Sequence, residues 1–303
     1  MPSNQSPLGA LPSRFRRERV LIVGCGDVGT RAASMLDGKV HLLALTSSAG
    51  RKAALRLCGI QPILGNLDDV DTLQRLAGIA TRVLHLAPPP SDGWSDTRTL
   101  ALCRALRKRR LPAAMVYGST SGVYGDCAGA WIDETRAPLA DTPRARRRLH
   151  AEQAVRFLGR SAGVRVSTLR IPGIYAQDRD GGTPRPRLLK GTPVLVESDD
   201  VYTNHIHADD LARACVAALW KGRAQRAYNV NDDTMMKMGD YFDLAADLYG
   251  LDRPPRVSRQ GADTQLPLML LSFMSESRRM VNARMKAELG VRLRYPTVRE
   301  GLA

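Results

Sequence analysis

Apolar positions along the chain fall into short runs separated by stretches of helical periodicity. The first run, residues 20–23, is Val-Leu-Ile-Val, mostly β-branched, as expected of a strand covered on both faces. Similar runs predict strands over residues 40–45, 61–64, 82–86, 113–117 and 164–170. Between them the pattern predicts helices over 27–36, 51–58, 70–76, 97–110 and 143–160. In the fourth of these, apolar residues at 100, 102, 103 and 106 leave a basic outer face. Further on, helices are expected over 211–220, 241–249 and 276–289, the last ending at Gly290 as a C-cap, with 254–267 as a loop. Strand and helix alternate at least five times, which predicts an α/β fold built on a doubly wound parallel sheet with right-handed crossovers.

The turn after the first run reads Gly24-Cys-Gly26-Asp-Val-Gly29. Strand on one side and helix on the other make this a Rossmann-type dinucleotide turn. Gly24 allows the tight turn, Gly26 lets a pyrophosphate approach the backbone, and Gly29 lets the helix pack on the strand. Asp27 and Val28 complete the expected phosphate contact at the helix N-terminus. Ligands of such sheets bind at the carboxyl ends of the strands. The second strand ends in Thr46-Ser47-Ser48, with no carboxylate for a ribose, and Arg51 and Lys52 follow. That combination favours NADP over NAD, with Arg51 as the partner of a 2′-phosphate and Arg31 as a second candidate. Asn66 and Leu67 follow the third strand, where an adenine would lie. Leu86, Ala87 and Pro88 close the fourth strand and join the cofactor set; the prolines there keep the backbone extended.

Composition limits the alternatives. At 303 residues, 44% hydrophobic and 25% charged, the chain suits one large α/β domain or two joined lobes. No apolar run reaches membrane-span length, so no membrane partner is expected. Residues 1–18 lack an apolar core of the secretory kind and read as a flexible tail. Five scattered cysteines without C-x-x-C spacing suggest a reducing compartment, hence a cytoplasmic protein with no disulfide framework and no zinc site. Cys25 stands in the glycine turn, where thiol pKa values tend to fall; the plainer reading is a small residue that fits the turn. The net charge of +15 concentrates in 104–110 (RALRKRR) and 144–148 (RARRR). Aromatics are only 5% and not interleaved with these runs, so solvated helix faces are expected and a nucleic-acid partner is not.

A second constellation, GSTSGVYGD at 118–126, joins the glycine turn in an ordered series. The series continues with GNLDD at 65–69, VLHLAPP at 83–89, HAEQAV at 150–155, LRIPGIY at 169–175, NHIHADDLARA at 204–214 and AYNVND at 227–232. The chain thereby resembles the extended and atypical short-chain dehydrogenase/reductases, the NAD(P)-dependent epimerase/dehydratase group, and in particular the YeeZ-like branch. The resemblance implies a dinucleotide domain over 19–172 and a smaller C-terminal substrate lobe over 173–303, interleaved with a last strand and helix near 205–230. It places Thr120 against the substrate's reacting oxygen, with Ser119 and Ser121 as neighbours and Ser121 facing substrate. A Ser/Thr turn bonding its own backbone is the alternative. Pro172 would lie beside the nicotinamide, and 177–191 reads as a mobile substrate loop.

The resemblance also implies a Tyr-x-x-x-Lys pair on the helix after the fifth strand. With His150-Ala151-Glu152 as anchor, the two positions hold Arg144 and Arg148. No tyrosine occurs between 124 and 175 and no lysine between 108 and 190, so that helix lacks the pair in any register. Arginine keeps its proton and cannot replace the tyrosine; Arg148 could still hold cofactor oxygens and Arg144 an anionic substrate. Tyr124, Tyr175, His207 and Asp209 are conceivable proton carriers without a matching position. Asn204 stands where the family's related segment carries Arg, and Asp209 or Asp210 could cap the helix that follows. No cluster has convincing metal spacing. The expected function is an NAD(P)-dependent oxidoreductase or epimerase/dehydratase-like enzyme on a small polar, anionic substrate. The alternative is a dinucleotide-binding redox sensor or regulatory subunit without turnover. The apolar segment 266–274 is a candidate partner face for a homodimer.

Overall fold

The computed structural model describes residues 18–303; nearly all of the expected N-terminal tail lies outside the described residues. A parallel sheet of seven strands forms the centre. In chain order these are β1 (Arg19–Val23), β2 (His41–Thr46), β3 (Gln61–Leu64), β4 (Arg82–His85), β5 (Ala114–Thr120), β6 (Arg165–Ile171) and β7 (Arg226–Asn229). Their spatial order is β7-β6-β5-β4-β1-β2-β3, so the winding reverses between β1 and β4. A crevice for ligand is expected at the carboxyl ends of that pair.

Side chains alternate across the sheet as the period of two requires. Val20, Ile22, Ala44, Leu84, Val116 and Leu169 enter one core with α1 (Asp27–Leu36) and the helix Ala208–Lys221. Leu21, Val23, Leu43, Val83, Met115 and Val166 enter the other with the helices Thr97–Leu106 and Pro143–Ala162. The 97–110 helix ends four residues early, after Leu106, where its apolar positions stop. β5 runs three residues further than its apolar run, because Gly118, Ser119 and Thr120 pair with Leu169, Arg170 and Ile171.

A separate apolar core gathers Tyr175, Val194, Leu195, Val201, Phe242, Val298 and Leu302 from the C-terminal part of the chain. Leu266, Leu270, Leu271 and Met274 of the apolar 266–274 segment pack in this core, while Pro267 and Ser272 are exposed. Two sequence expectations fail in this region. Residues 254–267 hold a strand, Arg256–Val257, and a helix, Arg259–Gln265, capped by Ser258. Residues 276–289 do not form one helix. Arg279–Met280 pairs as a strand with Trp131–Ile132, helix begins only at residue 283 and runs to Leu289, and a further helix follows at Val298–Leu302. Gly290 does end its helix, at φ +66°. Among the described residues no helix is long and apolar enough to cross a membrane.

Candidate active site

β1 leads into Gly24, at φ +88°. A Cβ there would stand 2.3 Å from the Ala87 backbone nitrogen, so glycine lets the turn close against the chain leaving β4. A Cβ on Gly29 would lie 3.1 Å from the Gly24 carbonyl oxygen and 3.3 Å from Ile22, which fixes how closely α1 packs on β1. Gly26 differs: a Cβ there would meet nothing within 4 Å. It opens on a cavity of about 510 Å³ that Gly24, Asp27, Val28, Gly29, Leu86 and Pro88 also line. Gly26 precedes α1 and no side chain caps that helix, so its first-turn amides are left for an anion in the cavity. A glycine facing open space above an uncapped helix start fits a pyrophosphate.

A second part of this trough, about 450 Å³, lies beyond the turn. Thr46, Ser47, Ser48, Arg51, Asn66, Leu67, Ala87 and Pro88 line it, and no carboxylate does. Arg51 donates from Nη2 to the Cys25 carbonyl at 2.7 Å, which holds its guanidinium beside the hydroxyl cluster. Arg31 is not available for a phosphate: Asp27, Asp178 and Asp209 pair with it at 3.0, 2.6 and 2.5 Å. Cys25 is buried, and burial pushes its thiol above the ordinary value, so the plainer reading holds.

The other wall comes from the helix α4, Pro143–Ala162, counting Arg51–Leu57 as α2 and Thr97–Leu106 as α3. Thr142 caps it, accepting from the Ala145 amide, and Pro143 opens its first turn. The arginine run is more than a solvated face. Arg147 is buried and donates to the Gly93 carbonyl at 2.6 Å. Arg146 lies over Trp94 at 4.8 Å. Arg148 donates to the Gly118 carbonyl at 2.8 Å and borders the trough. Arg144 lines the trough and also the cavity beyond it.

That further cavity holds about 520 Å³. Thr120, Arg144, Pro172, Ile174 and Arg179 line both spaces, so the two run together at the end of β5. Thr120 is half-buried, and its Oγ1 accepts from the Gly122 amide at 3.3 Å. The hydroxyl keeps its own hydrogen to donate, so the local turn and a substrate contact are compatible. Ser121 lines the further cavity. Ser119 does not: it donates to the buried Glu152 at 2.6 Å.

The remaining candidates are structural. Burial pushes the Tyr124 and Tyr175 hydroxyls upward, away from proton exchange near neutrality. Tyr124 donates to Asn229 at 2.7 Å and Tyr175 to the Thr297 carbonyl at 3.3 Å. The helix Ala208–Lys221 is capped by His207, whose Nδ1 accepts from the Asp209 amide, and not by either aspartate. Asp209 pairs with Arg31, and Asp210 accepts from the Arg294 and Tyr295 amides. The loop 177–191 is tied down. It contains α5 (Arg185–Leu189), and Asp178 and Arg179 form ion pairs with Arg31 and Asp27 on α1. Sequence reasoning marked this loop by its Gly, Pro and charge, but missed Arg179 and Arg187 as cavity residues. Arg278 was missed as well; it lines the cavity beside Asn204, which donates to its carbonyl at 2.9 Å. Among the described residues no His/Cys/Asp/Glu group could hold a metal ion.

AYNVND ends at Asp232, which is 1% exposed. Burial pushes its carboxyl up to about 7, against the Thr234 amide that donates to it at 3.0 Å. The folded value lies above the ordinary one, so this group's contribution to stability is complete below the usual carboxylate range. It is lost as pH rises through about 7. Asp232→Asn is expected to remove a slope of up to about 1.4 kcal/mol per pH unit across that window. Urea unfolding at a series of pH values measures it, and an unchanged slope would exclude Asp232 as its source.

The profile of a family described as NAD dependent epimerase/dehydratase matches residues 20–231. A 3-diazoavenalumate denitrifying reductase of Streptomyces sp is 31% identical over 237 residues, 74% of this chain and 76% of that protein. A trifunctional UDP-glucose 4,6-dehydratase of Arabidopsis thaliana is 25% identical over 145 residues; the match takes in 45% of this chain and only 22% of that longer protein. Among solved structures, a conserved protein of unknown function from Silicibacter pomeroyi superposes with a TM-score of 0.76 at 29% identity, covering 94% of this chain and 96% of that one. A UDP-glucose 4-epimerase of Thermus thermophilus, in complex with NAD, gives 0.73 at 22% identity and the same coverages, which speaks to the fold alone.

Proposed function

The chain belongs to the NAD-dependent epimerase/dehydratase family, and from that premise we propose that it is an NAD(P)-dependent oxidoreductase or epimerase/dehydratase-like enzyme acting on a small, polar, anionic substrate. The observation that carries this reading is the junction of the two cavities at Thr120 and Arg144. Residues 19–172 would hold the dinucleotide, and 173–303 would cover the substrate, sharing the strand and helix near 205–230. When bound, the nicotinamide supplies or accepts a hydride. Thr120 donates its hydroxyl hydrogen to the substrate's reacting oxygen while the Gly122 amide holds its lone pair. Arg144 draws the anionic substrate toward the junction. Arg148 fixes the end of β5 through the Gly118 carbonyl and borders the trough that would hold the cofactor. Pro172 sits where the two cavities join. The partner is a small molecule, not nucleic acid or membrane, and the setting we propose is cytoplasmic.

We place the chain in the YeeZ-like branch lacking the Tyr-x-x-x-Lys pair. α4 carries no tyrosine and no lysine, and its arginines keep their protons at any working pH. This favours a second reading, a dinucleotide-binding sensor or regulatory subunit without turnover. One experiment separates the two. Cofactor binding is followed by nucleotide fluorescence, and the loaded protein is then offered a panel of aldehydes, ketones and sugars with and without a carboxylate. Oxidation or reduction of the nucleotide supports the enzyme. Tight binding without turnover supports the sensor, and no binding removes both.

The preference for NADP rests on Arg51 beside Thr46, Ser47 and Ser48, with no carboxylate to repel a 2′-phosphate. Arg51→Ala is expected to weaken NADPH about tenfold or more and NADH by much less, since a charge-assisted phosphate contact is lost only in the former. Parallel titrations check it; equal weakening would remove the 2′-phosphate argument.

A further inference from the structure

α5 carries Arg187 to the wall of the cavity beyond Thr120. Its guanidinium lies 4.3 Å from the Phe242 ring centroid. Its Nε and Nη2 are buried and have no hydrogen-bond partner. Among the described residues no carboxylate forms an ion pair with it, and burial pushes its pKa down. A guanidinium held without a carboxylate partner is costly when half-buried, and an anion in the cavity it lines would pair with it.

The other arginines of this cavity are committed. Arg278 donates to the Gly125 carbonyl and to Glu276, and Arg179 pairs with Asp27 at 2.7 Å. Arg144 stands at the junction with the cofactor trough. Away from that junction, Arg187 is the arginine of the cavity with buried donors unmet and no carboxylate beside it. Two neutral polar atoms accompany it, the Thr203 hydroxyl and His205 Nδ1, both buried and without partners. Burial holds His205 uncharged, with a pKa of about 4. The walls are flat and aromatic: Tyr241 stacks on His205 at 4.2 Å, and Phe242 and Tyr202 line the same space.

We infer that this cavity recognises a compact organic monocarboxylate with a planar, unsaturated body, and that Arg187 anchors the carboxylate. The inference rests on the reading of this cavity as the substrate site and names its substrate class. A guanidinium matches a single carboxylate in fork geometry. The aromatic walls favour a flat apolar frame.

Calorimetric titration with benzoate, cinnamate, cinnamamide and UDP-glucose tests this on the NADPH-saturated protein. Cinnamate is expected to bind at least about tenfold more tightly than its neutral amide, because a charge-assisted pair at a buried site is lost in the latter. Arg187→Met is expected to remove that preference, and Arg187→Lys to retain part of it, with NADPH affinity held within about twofold because the cofactor trough lies apart. Equal affinity for cinnamate and cinnamamide, no carboxylate binding, or a preference for UDP-glucose would overturn the inference. So would an Arg187→Met protein that still prefers cinnamate. If that variant fails to fold, the wild-type comparison and Arg187→Lys decide. If the protein binds no nucleotide, the functional reading fails, and the same titrations on the unliganded protein still decide the anchor.

Discussion

Gly26→Val is expected to leave the protein folded and to weaken NADPH binding by about a hundredfold or more, roughly 2.7 kcal/mol. The backbone at Gly26 lies in the extended region, at φ −84° and ψ −152°, without the positive φ that calls for glycine. A Cβ there meets nothing within 4 Å, so the folded protein accepts the side chain. The same open space is where the pyrophosphate must approach the amides of α1. Valine is a poorer N-cap than glycine, which limits the stability loss to about 1 kcal/mol and the fall in Tm to roughly 2–4 °C. Gly24→Val provides the contrast. Its side chain would strike the Ala87 backbone at 2.3 Å and force φ +88° on a branched residue, so stability and binding fall together. Thermal unfolding and nucleotide titration of both variants check the pair of outcomes.

Glu152→Gln is expected to cost about 3–5 kcal/mol, lowering Tm by roughly 5–15 °C. Glu152 and Arg170 are 2% and 3% exposed at their side chains and pair at 2.9 Å. Ser119 donates to the same carboxylate, and Arg170 also lies over the Tyr124 ring at 4.7 Å. Burial opposes the charge on Arg170, yet Glu152 holds its pKa above the ordinary value. Removing the carboxylate's charge leaves that guanidinium uncompensated in the core. Replacing both partners together, Glu152→Leu with Arg170→Met, is expected to recover most of the loss, because apolar packing then takes the place of the pair. Calorimetric melting of the single and double variants measures the coupling. A single variant losing less than about 1 kcal/mol would contradict the assignment.

The central strands of the main sheet were legible because they are buried on both faces and read as apolar runs, whereas the edge strand β7, Arg-Ala-Tyr-Asn, carries no such run. The glycine turn was legible because Gly24 and Gly29 answer to local backbone geometry. What escaped depends on partners distant in sequence. Gly118 to Thr120 join β5 only because β6 lies alongside. Arg31 looks like a phosphate ligand until the fold brings Asp178 and Asp209 to it. Residues 276–289 carry a helical composition, yet Arg279–Met280 is claimed by Trp131–Ile132 and Asn282 by the Asn231 carbonyl. His207 outcompetes the adjacent aspartates as a cap because those two are engaged elsewhere. Arg187 was hidden in a loop whose composition announces polarity and not direction.

Titrating NADPH fluorescence against the wild-type protein and Gly26→Val in parallel shows whether a dinucleotide is seated over Gly26. A saturable rise is expected with the wild type and none with the variant at the same concentrations. No rise with the wild type, or the same curve for both proteins, would contradict it.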